Sequence, residues 1–212
     1  MRIIIITFLV FISFLISAQS DNYKWSLKLG GSTNSHIINI GSTYDWYGNS
    51  KGPELFVGLG YKNIHLNTSY RYFDEPIKKN LFYNNSNYYL PKDANVRMVF
   101  WNLSISYEQE IIKRFFIEPT IGYLQDFTSS NINDLNGNEF EIKDLNGLTI
   151  GANLIKYIKF SNDFFLGFYI KCDYNFLNYQ SLNPDLSNNS FGYSIGAVIK
   201  GTDTKKKKVI SW

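Results

Sequence analysis

Six charged side chains interrupt segments of the sequence that otherwise alternate between apolar and small polar residues. They are Lys28, Arg71, Glu108, Glu118, Lys171 and Asp173. All six fall on the polar face of their segments, and both signs of charge are present. Charges that leave water must be paired. The pattern therefore predicts a salt-bridged network that fills the interior of the protein, and the alternative is that the same charges line a narrow or gated pore.

The sequence has two histidines, His36 and His65. An enzyme that adds or removes acyl chains on membrane lipid would need a histidine beside a serine or aspartate. His65 follows a short turn, and His36 lies next to Ser35 in a long connection, but adjacency in sequence does not make a catalytic pair. Because no base and nucleophile share a strand face, we expect a histidine in the interior, a histidine in a loop and no catalytic residue.

The tetrapeptide DLNG occurs twice, starting at Asp134 and at Asp144. Asp134, Asn136 and Asn138 have the spacing of calcium ligands, but the glycine and the final glutamate of an EF-hand loop are missing, and Leu145 stands in the glutamate's place. Two Asx-Gly turns that bracket the short strand NEFEIK explain the repeat. Since the sequence also lacks a metal-ligand cluster, a phosphate loop and a nucleophile elbow, we expect no metal and no cofactor.

The elements that must position these residues are β-strands. Eight segments alternate apolar and polar side chains, as two-faced strands do. They span residues 24–31, 54–61, 64–73, 97–108, 114–124, 147–159, 163–176 and 191–200. The alternation of the sixth segment breaks at Ile155, which predicts a β-bulge. The stretch HIINI, residues 36–40, is expected to extend the first loop, since a ninth strand would mix short and long connections at both ends.

Short and long connections alternate along the chain. The short ones are residues 62–63, 109–113 and 160–163, and the long ones are 32–53, 74–94, 127–144 and 178–189. Antiparallel strands with short turns at one end and long loops at the other form an up-and-down barrel, which leaves no open sheet edge.

The composition of the two strand faces indicates which face is outside. A soluble barrel around an apolar ligand would show water a face rich in Lys and Glu, whereas the second face here is mostly Gly, Ser, Thr and Asn, which suits a narrow lumen. Each apolar row covers about ten residues, enough to cross hydrocarbon at a tilt near 45°. Many rows end in aromatic residues, as at a membrane interface. We predict an all-β fold, an eight-stranded antiparallel up-and-down transmembrane β-barrel preceded by a signal peptide.

The two ends of the chain differ from the barrel. Residues 1–18 combine Arg2, an apolar run and small residues up to Ala18, the layout of a signal peptide. We expect the outer-membrane β-barrel to span residues 19–201 and a basic C-terminal tail to span 202–212. The lysine run in that tail would touch anionic lipid or peptidoglycan, or remain solvated. A net charge of only +3 does not favour a nucleic-acid partner.

Three segments carry a resemblance to a known group of proteins. They are WSLKLGGSTNS from Trp25, RFFIEPTIGYL from Arg114 and GYSIGAVIKG from Gly192. With the signal peptide they resemble the small eight-stranded outer-membrane β-barrel proteins of Bacteroidetes-type bacteria, similar in fold to OmpA-like and OmpX-like barrels. The resemblance covers essentially the whole mature chain and implies outer-membrane lipid and the barrel assembly machinery as partners. Such barrels commonly finish on an aromatic residue in the last strand, whereas here we expect that strand to stop at Lys200, well before Trp212.

Three functions follow from these expectations. The first is a non-enzymatic outer-membrane barrel with a structural or interaction role, a plugged lumen and an extracellular ligand bound by the loops 74–94 and 127–144. The second is a narrow porin-like channel for small solutes. The third is a secreted soluble barrel that binds an apolar ligand.

Overall fold

Eight long antiparallel strands form the body of the protein. The computed structural model describes residues 23–82, 89–133, 139–141 and 144–204. The strands are β1 (Tyr23–Asn39), β2 (Asn49–Tyr61), β3 (Ile64–Pro76), β4 (Asn95–Tyr107), β5 (Phe115–Asn133), β6 (Leu145–Lys159), β7 (Phe164–Leu177) and β8 (Asn189–Thr204). Each strand pairs with the next along the chain, and β8 pairs with β1. The sheet is therefore a closed barrel, which confirms the predicted fold class.

Several short elements join or extend these strands. They are helix α1 (Ser42–Tyr47), a 3₁₀ turn (Tyr179–Ser181), the paired strands Leu81–Phe82 and Tyr89–Leu90, the strand Gln109–Ile112 and the strand Glu139–Glu141, the last two of which pair with β5. The described helices are all too short or too polar to cross a membrane.

The strands are staggered around the barrel by a fixed amount. The path of registered partners from Leu148 runs through Tyr123, Leu103, Thr68, Val57, Leu29, Ile199 and Leu166 and returns to β6 at Ile158. The path ends ten residues beyond its start, so the strands tilt by about 40° for strand and residue spacings of about 4.7 and 3.3 Å. Eight strands at this tilt leave an interior only wide enough for side chains.

The apolar rows face outward, as predicted. Phe168 is 56% exposed and Ile195 is 62% exposed, and Trp101 lies on the same outer face. After allowance for the stagger, outward aromatic residues form two rings. The upper ring, nearer the long loops, contains Tyr72, Trp101, Tyr123, Tyr174 and Phe191, and the lower ring contains Trp25, Tyr61, Phe115 and Phe164. About ten residues of each strand separate the rings, a height of about 25 Å at this tilt, which matches the apolar band of membrane barrels.

Residues 36–39 belong to strand β1 and not to a loop, contrary to the sequence-based expectation for 36–40. Strand β1 continues through His36, Ile37 and Ile38 after an irregularity between Gly31 and Ser35 and stays paired with both neighbours. The irregularity changes which parity of residue faces inward, so that Ile37 is buried. The alternation was therefore present in the sequence but was interrupted by the shift in register.

The predicted bulge at Ile155 is wrong. The pairing of β6 with β7 is continuous from Gly147 to Lys159. Ile155 keeps its place in the inward row, and both Ile155 and Tyr157 are buried in an apolar cluster near the short turns. The apparent break arises because the inner face changes from small polar residues to apolar residues at this height.

The last strand is longer than expected. It extends to Thr204, which pairs with Tyr23, four residues beyond the predicted end at Lys200. The turn between β4 and β5 is tighter than expected, because residues 109–112 are themselves paired and Arg114 adopts a positive φ of 62°.

Candidate functional site

The interior near the short turns holds four charged side chains, named here the lower ion-pair layer: Lys28, Glu108, Glu118 and Lys200. Lys28 Nζ lies 2.7 Å from Glu118 Oε1 and 3.0 Å from Glu108 Oε1. Glu108 also pairs with Lys200. Two positive and two negative charges are thus enclosed together, and the exposed fraction of each side chain is 3% or less.

Neutral donors complete the lower ion-pair layer. Ser106 Oγ donates to Glu118 Oε1 at 2.6 Å, and Asn153 Nδ2 donates to Glu118 Oε2 at 3.0 Å. The Tyr157 hydroxyl donates to Glu108 Oε1 at 3.0 Å. Every oxygen of both carboxylates therefore has a donor, which is the condition under which buried charges are tolerated.

The interior near the upper ring holds a second balanced set, the upper ion-pair layer: Glu54, Arg71, Lys171 and Asp173. Arg71 contacts Asp173 through both terminal nitrogens, one of them at 3.1 Å, and its Nε donates to Glu54 Oε1 at 3.2 Å. Lys171 Nζ lies 2.6 Å from the same Glu54 oxygen. Ser194 Oγ donates to Glu54 Oε2 at 2.6 Å, so Glu54 binds groups from three other strands.

Between the two layers the interior holds an aromatic pair and a small cavity, and Glu118, Lys171 and Asp173 of the two layers help to line that cavity. Phe56 and Tyr169 pack edge to face with ring centroids 5.4 Å apart. Beside them is a polar cavity of about 30 Å³, lined by residues that include Asn67, Asn102 and Thr120. A cavity of this volume has room for about two water molecules.

An apolar cluster closes the interior above the upper ion-pair layer and is named here the apolar cap. Its buried members are Ile37, Tyr47, Phe73, Ile77, Leu90, Ala94, Val96, Met98, Phe100, Leu124, Leu145, Leu177, Tyr179, Leu182 and Leu186. Helix α1 is tied across the top, where Thr43 Oγ1 donates to the Ser187 carbonyl at 2.6 Å. At this height the inner face of the barrel is apolar and the outer face is not. The strands here lie above the apolar outer band, so their apolar side chains pack inward as a hydrophobic core.

The apolar cap encloses one carboxyl group, that of Asp126. Its Oδ1 accepts a hydrogen bond from Thr128 Oγ1 at 2.9 Å, and its Oδ2 is buried without a partner among the described residues. Asp126 lies one step above the upper ring, outside the membrane band. Burial raises the pKa of Asp126 from its ordinary 3.8 to about 7, with a smaller contribution from the charge of Asp144. The pKa of the nearby Tyr179 is also raised, first by burial and then by Asp126.

All six charged residues singled out in the sequence lie in the interior. Five of them form ion pairs among themselves, and the sixth, Lys171, pairs with Glu54. Lys28, Glu108 and Glu118 belong to the lower ion-pair layer, and Arg71, Lys171 and Asp173 belong to the upper ion-pair layer. The strand register, which the sequence does not give, decides this division.

Two charges that complete these layers were missed, Glu54 and Lys200. Each lies on the inner parity of its strand, Glu54 in line with Gly58 and Gly60, and Lys200 in line with Ser194 and Gly196. The parity of the alternation was enough to find both. The signal is weak at both positions, because each residue stands at the end of an alternating segment, where a charge is usually solvated.

The two histidines occupy different environments. His65 is fully buried, with Nε2 3.0 Å from Ser26 Oγ and Nδ1 3.6 Å from Glu118 Oε1. Sequence reasoning missed this serine–histidine–glutamate arrangement, because its members come from three strands. Ser26 and His65 are both buried, and Glu118 is already engaged by Lys28.

His36 lies on the outer surface of β1 and not in a loop. It stacks on Tyr193 of the neighbouring strand with ring centroids 4.6 Å apart, and Asn34 is its hydrogen-bond partner. Tyr193 lies two residues below Phe191 on β8, so the stack lies at the level of the upper ring.

The calcium-like residues Asp134, Asn136 and Asn138 lie outside the described residues, and Asp144 is exposed. No group of three or more His, Cys, Asp or Glu side chains suited to a metal ion occurs in the described ranges. The loop proposed for contact at 74–94 is anchored at its base by Ile77 and Leu90 in the apolar cap.

Comparison with known proteins gives a result only at the level of structure. No protein-family model matches the sequence, and no curated protein matches it. Neisserial surface protein A (NspA) superposes with a TM-score of 0.53 at 12% identity, over 84% of this chain and 97% of that chain. The fold is that of an outer-membrane β-barrel. The outer membrane protein OprG from Pseudomonas aeruginosa superposes with a TM-score of 0.50 at 10% identity, over 84% of this chain and 97% of that chain.

Proposed function

We propose that this chain is an outer-membrane β-barrel protein whose lumen is closed by paired charges and whose long-loop end is its interaction surface. The observation that carries the proposal is the contrast between the outer and the inner face of the barrel. An apolar band about 25 Å high is bounded by aromatic rings on the outside, and charged and polar side chains fill the inside. A soluble barrel with an apolar ligand in its lumen would need the opposite arrangement.

The lumen is proposed to be a plug and not a channel. The two ion-pair layers each carry two charges of either sign, and a passing ion would have to separate these buried pairs. The apolar cap adds a second obstruction at the long-loop end. The cavity between the layers is about 30 Å³ and has room for water but not for a hydrated solute.

The long-loop end is proposed to face the outside of the cell. Tyr23 and Thr204, the first and last described residues, pair with each other at the short-turn end. Outer-membrane barrels have short turns on the periplasmic side and longer loops on the outer side. The proposal includes the Bacteroidetes-type relationship, the signal peptide at 1–18 and the basic tail at 202–212, all of which fit this orientation. Most of the two end segments lies outside the described residues.

The interaction role is proposed for the loops 74–94 and 127–144. Loops on a rigid scaffold are where binding usually occurs in proteins of this kind. The first loop is held against helix α1, where Lys78 Nζ lies 4.4 Å from the centroid of the Tyr44 ring and Lys79 pairs with Asp45 at 3.6 Å. This first loop would therefore be presented from an ordered base.

Orientation can be tested by labelling single cysteines on intact cells. In a Cys172→Ser background, Lys92→Cys reports on the long-loop end and Lys62→Cys on a short turn; both positions are exposed. A maleimide that does not cross membranes should label Lys92→Cys on intact cells, and Lys62→Cys only after lysis. Labelling of both, or a protein recovered in the soluble fraction, would contradict the proposal.

The plug can be tested by conductance in a planar bilayer. The purified protein should show a change in gel mobility on heating, as closed barrels do, and no steady current. If the wild type carries a steady current that Lys171→Gln or Arg71→Gln abolishes, the lumen conducts and the porin-like alternative is correct.

A further inference from the structure

Three adjacent strands change from apolar to asparagine at one height on the outer wall of the barrel. Reading upward from the membrane band, Leu148 is followed by Asn146 on β6, and Phe191 is followed by Asn189 on β8. Phe176 on β7 is followed by Asn178, the first residue after that strand. Phe176 and Asn189 are registered partners, and the backbone N–H of Asn178 donates to the backbone carbonyl of Asn146 at 3.3 Å. The three asparagines therefore form one patch just above the upper ring.

This patch is the floor of a recess. The recess is shallow and open to solvent, its volume is about 560 Å³, and Leu177, Gln180, Ser187 and Asn188 also line it. Gln180 and Asn188 form the rim, where Asn188 Nδ2 donates to Gln180 Oε1 at 3.1 Å and the Gln180 amide donates to Asn188 Oδ1 at 3.0 Å. The rim is thus fixed by its own hydrogen bonds.

The floor of the recess is free to bind a ligand. Among the described residues, the side-chain amides of Asn146, Asn178 and Asn189 have no hydrogen-bond partner, and each offers two donors and an acceptor. Phe176, 44% exposed, adds an apolar ring at the lower edge. No charged side chain lines the recess.

The chemistry of this lining selects a class of ligand. Phosphates and carboxylates are bound by Arg and Lys, which are absent from the recess lining. Amide groups match the alternating donors and acceptors of neighbouring hydroxyls, and an aromatic ring packs against an apolar face. An uncharged sugar ring has both features, with hydroxyls around its rim and a face of C–H groups.

The height of the recess identifies where the sugar would come from. Residues just above the aromatic ring of a membrane barrel lie at the level of the lipid head groups. We propose that the recess of Asn146, Asn178 and Asn189 binds the neutral sugar head group of a glycolipid in the outer leaflet. This inference rests on the membrane placement given under the proposed function, and it adds a lipid-recognition site that is separate from the loops and the lumen.

Native mass spectrometry of the detergent-solubilised protein tests the proposal. The probes are diglucosyl diacylglycerol, diacylglycerol with the same acyl chains, and free maltose. The variant is Asn178→Ala with Asn189→Ala, and the matched control is Asn95→Ala, an exposed asparagine at the long-loop end of β4. Retention of the gel-mobility change on heating shows that each variant is a folded barrel.

The wild type should retain the glycolipid at least about tenfold better than diacylglycerol, which is the gain expected from two or three amide hydrogen bonds. The double variant should lose this preference, and Asn95→Ala should keep it. Competition by free maltose would show that the sugar alone suffices, and its failure would show that the lipid anchor is needed. Equal retention of both lipids, or an unchanged preference in the double variant, would overturn the proposal even if the barrel and its orientation are as described.

Discussion

Among single residues, Glu54 is the carboxylate that links three other strands in the upper ion-pair layer. It forms ion pairs with both Arg71 and Lys171, and it accepts a hydrogen bond from the hydroxyl of Ser194. Its partners come from β3, β7 and β8, so one carboxylate joins strands on both sides of the lumen. A buried charge that loses its partner costs far more than an exposed one, because water cannot replace the partner.

Replacing this carboxylate should therefore destabilise the barrel strongly. Glu54→Gln keeps the shape but leaves Arg71 and Lys171 with only Asp173, and we expect a loss of about 3–5 kcal/mol in the free energy of unfolding. The control is Asp74→Asn, which alters an exposed pair with Arg97 at 4.0 Å and should cost less than about 1 kcal/mol. Urea titration in lipid vesicles measures both values. Equal effects of the two substitutions would show that the upper ion-pair layer is not structurally important.

Asp126 should give the protein a dependence of stability on pH. Its pKa is about 7 in the folded protein and 3.8 when exposed, so the folded state holds the proton more tightly. The stability contributed by the neutral acid is complete below about pH 4 and is lost as the pH rises to about 7. Above pH 7 the folded protein carries an unpaired charge within the apolar cap.

The neutral variant Asp126→Asn separates this effect from all other titrations. Between pH 4 and pH 8 the wild type should lose about 2–4 kcal/mol of unfolding free energy relative to Asp126→Asn, because only the wild type ionises at this position. Urea titrations of both proteins across this pH range provide the measurement. A difference that does not change with pH would contradict the assignment of a raised pKa to Asp126.

At the scale of the elements, strand β8 makes room for the upper ion-pair layer by carrying glycine at an inner position. A Cβ on Gly192 would lie against Asp173 Oδ1 and 2.6 Å from Arg71 Nη1. The same strand also contains Gly201, whose Cβ would meet nothing within 4 Å. The two glycines therefore differ in surroundings but not in secondary structure.

This difference gives a matched pair of substitutions. Gly192→Ala should displace the Arg71–Asp173 pair and cost about 1–3 kcal/mol, as overpacking does. Gly201→Ala should be close to neutral, because it adds a methyl group in open space. The temperature at which the gel mobility changes ranks the two variants. A larger loss from Gly201→Ala would show that backbone propensity, and not crowding of the ion pair, governs this strand.

At the scale of the whole molecule, the apolar band sets the position of the barrel in the membrane. Ile170 lies halfway between the two aromatic rings on β7, and Ile158 lies near the lower ring on β6; both face outward and are about equally exposed, at 50% and 48%. The cost of a charge on the lipid face depends on depth, being largest at the middle of the bilayer.

A charge should therefore be costly at one of these isoleucines and tolerated at the other. Ile170→Arg should lower the free energy of unfolding in vesicles by about 2–4 kcal/mol, and Ile158→Arg by about 1 kcal/mol or less. The same two variants in a short-chain detergent should differ much less, because a micelle adapts to the charge. Equal costs in vesicles would place the membrane band elsewhere on the barrel.

The sequence by itself determined the strand periodicity, the number of barrel strands, the outward direction of the apolar rows and the inward position of residues such as Lys28 and Arg71. These properties are local, because a period of two assigns every side chain to one face. The predicted bulge at Ile155 was wrong because the inner face becomes apolar at that height. The predicted loop at 36–40 was wrong because the register of β1 shifts before Ser35.

Only the tertiary structure decided which charges meet. The division into two ion-pair layers, the inclusion of Glu54 and Lys200, the serine beside His65 and the apolar cap around Asp126 all depend on the ten-residue stagger between strands that are distant in the chain. Stagger is a property of the closed sheet and not of any one strand, since it is fixed by the pairing of all eight strands at once. For the same physical reason, the asparagine recess on β6, β7 and β8 becomes visible only when those strands are placed side by side.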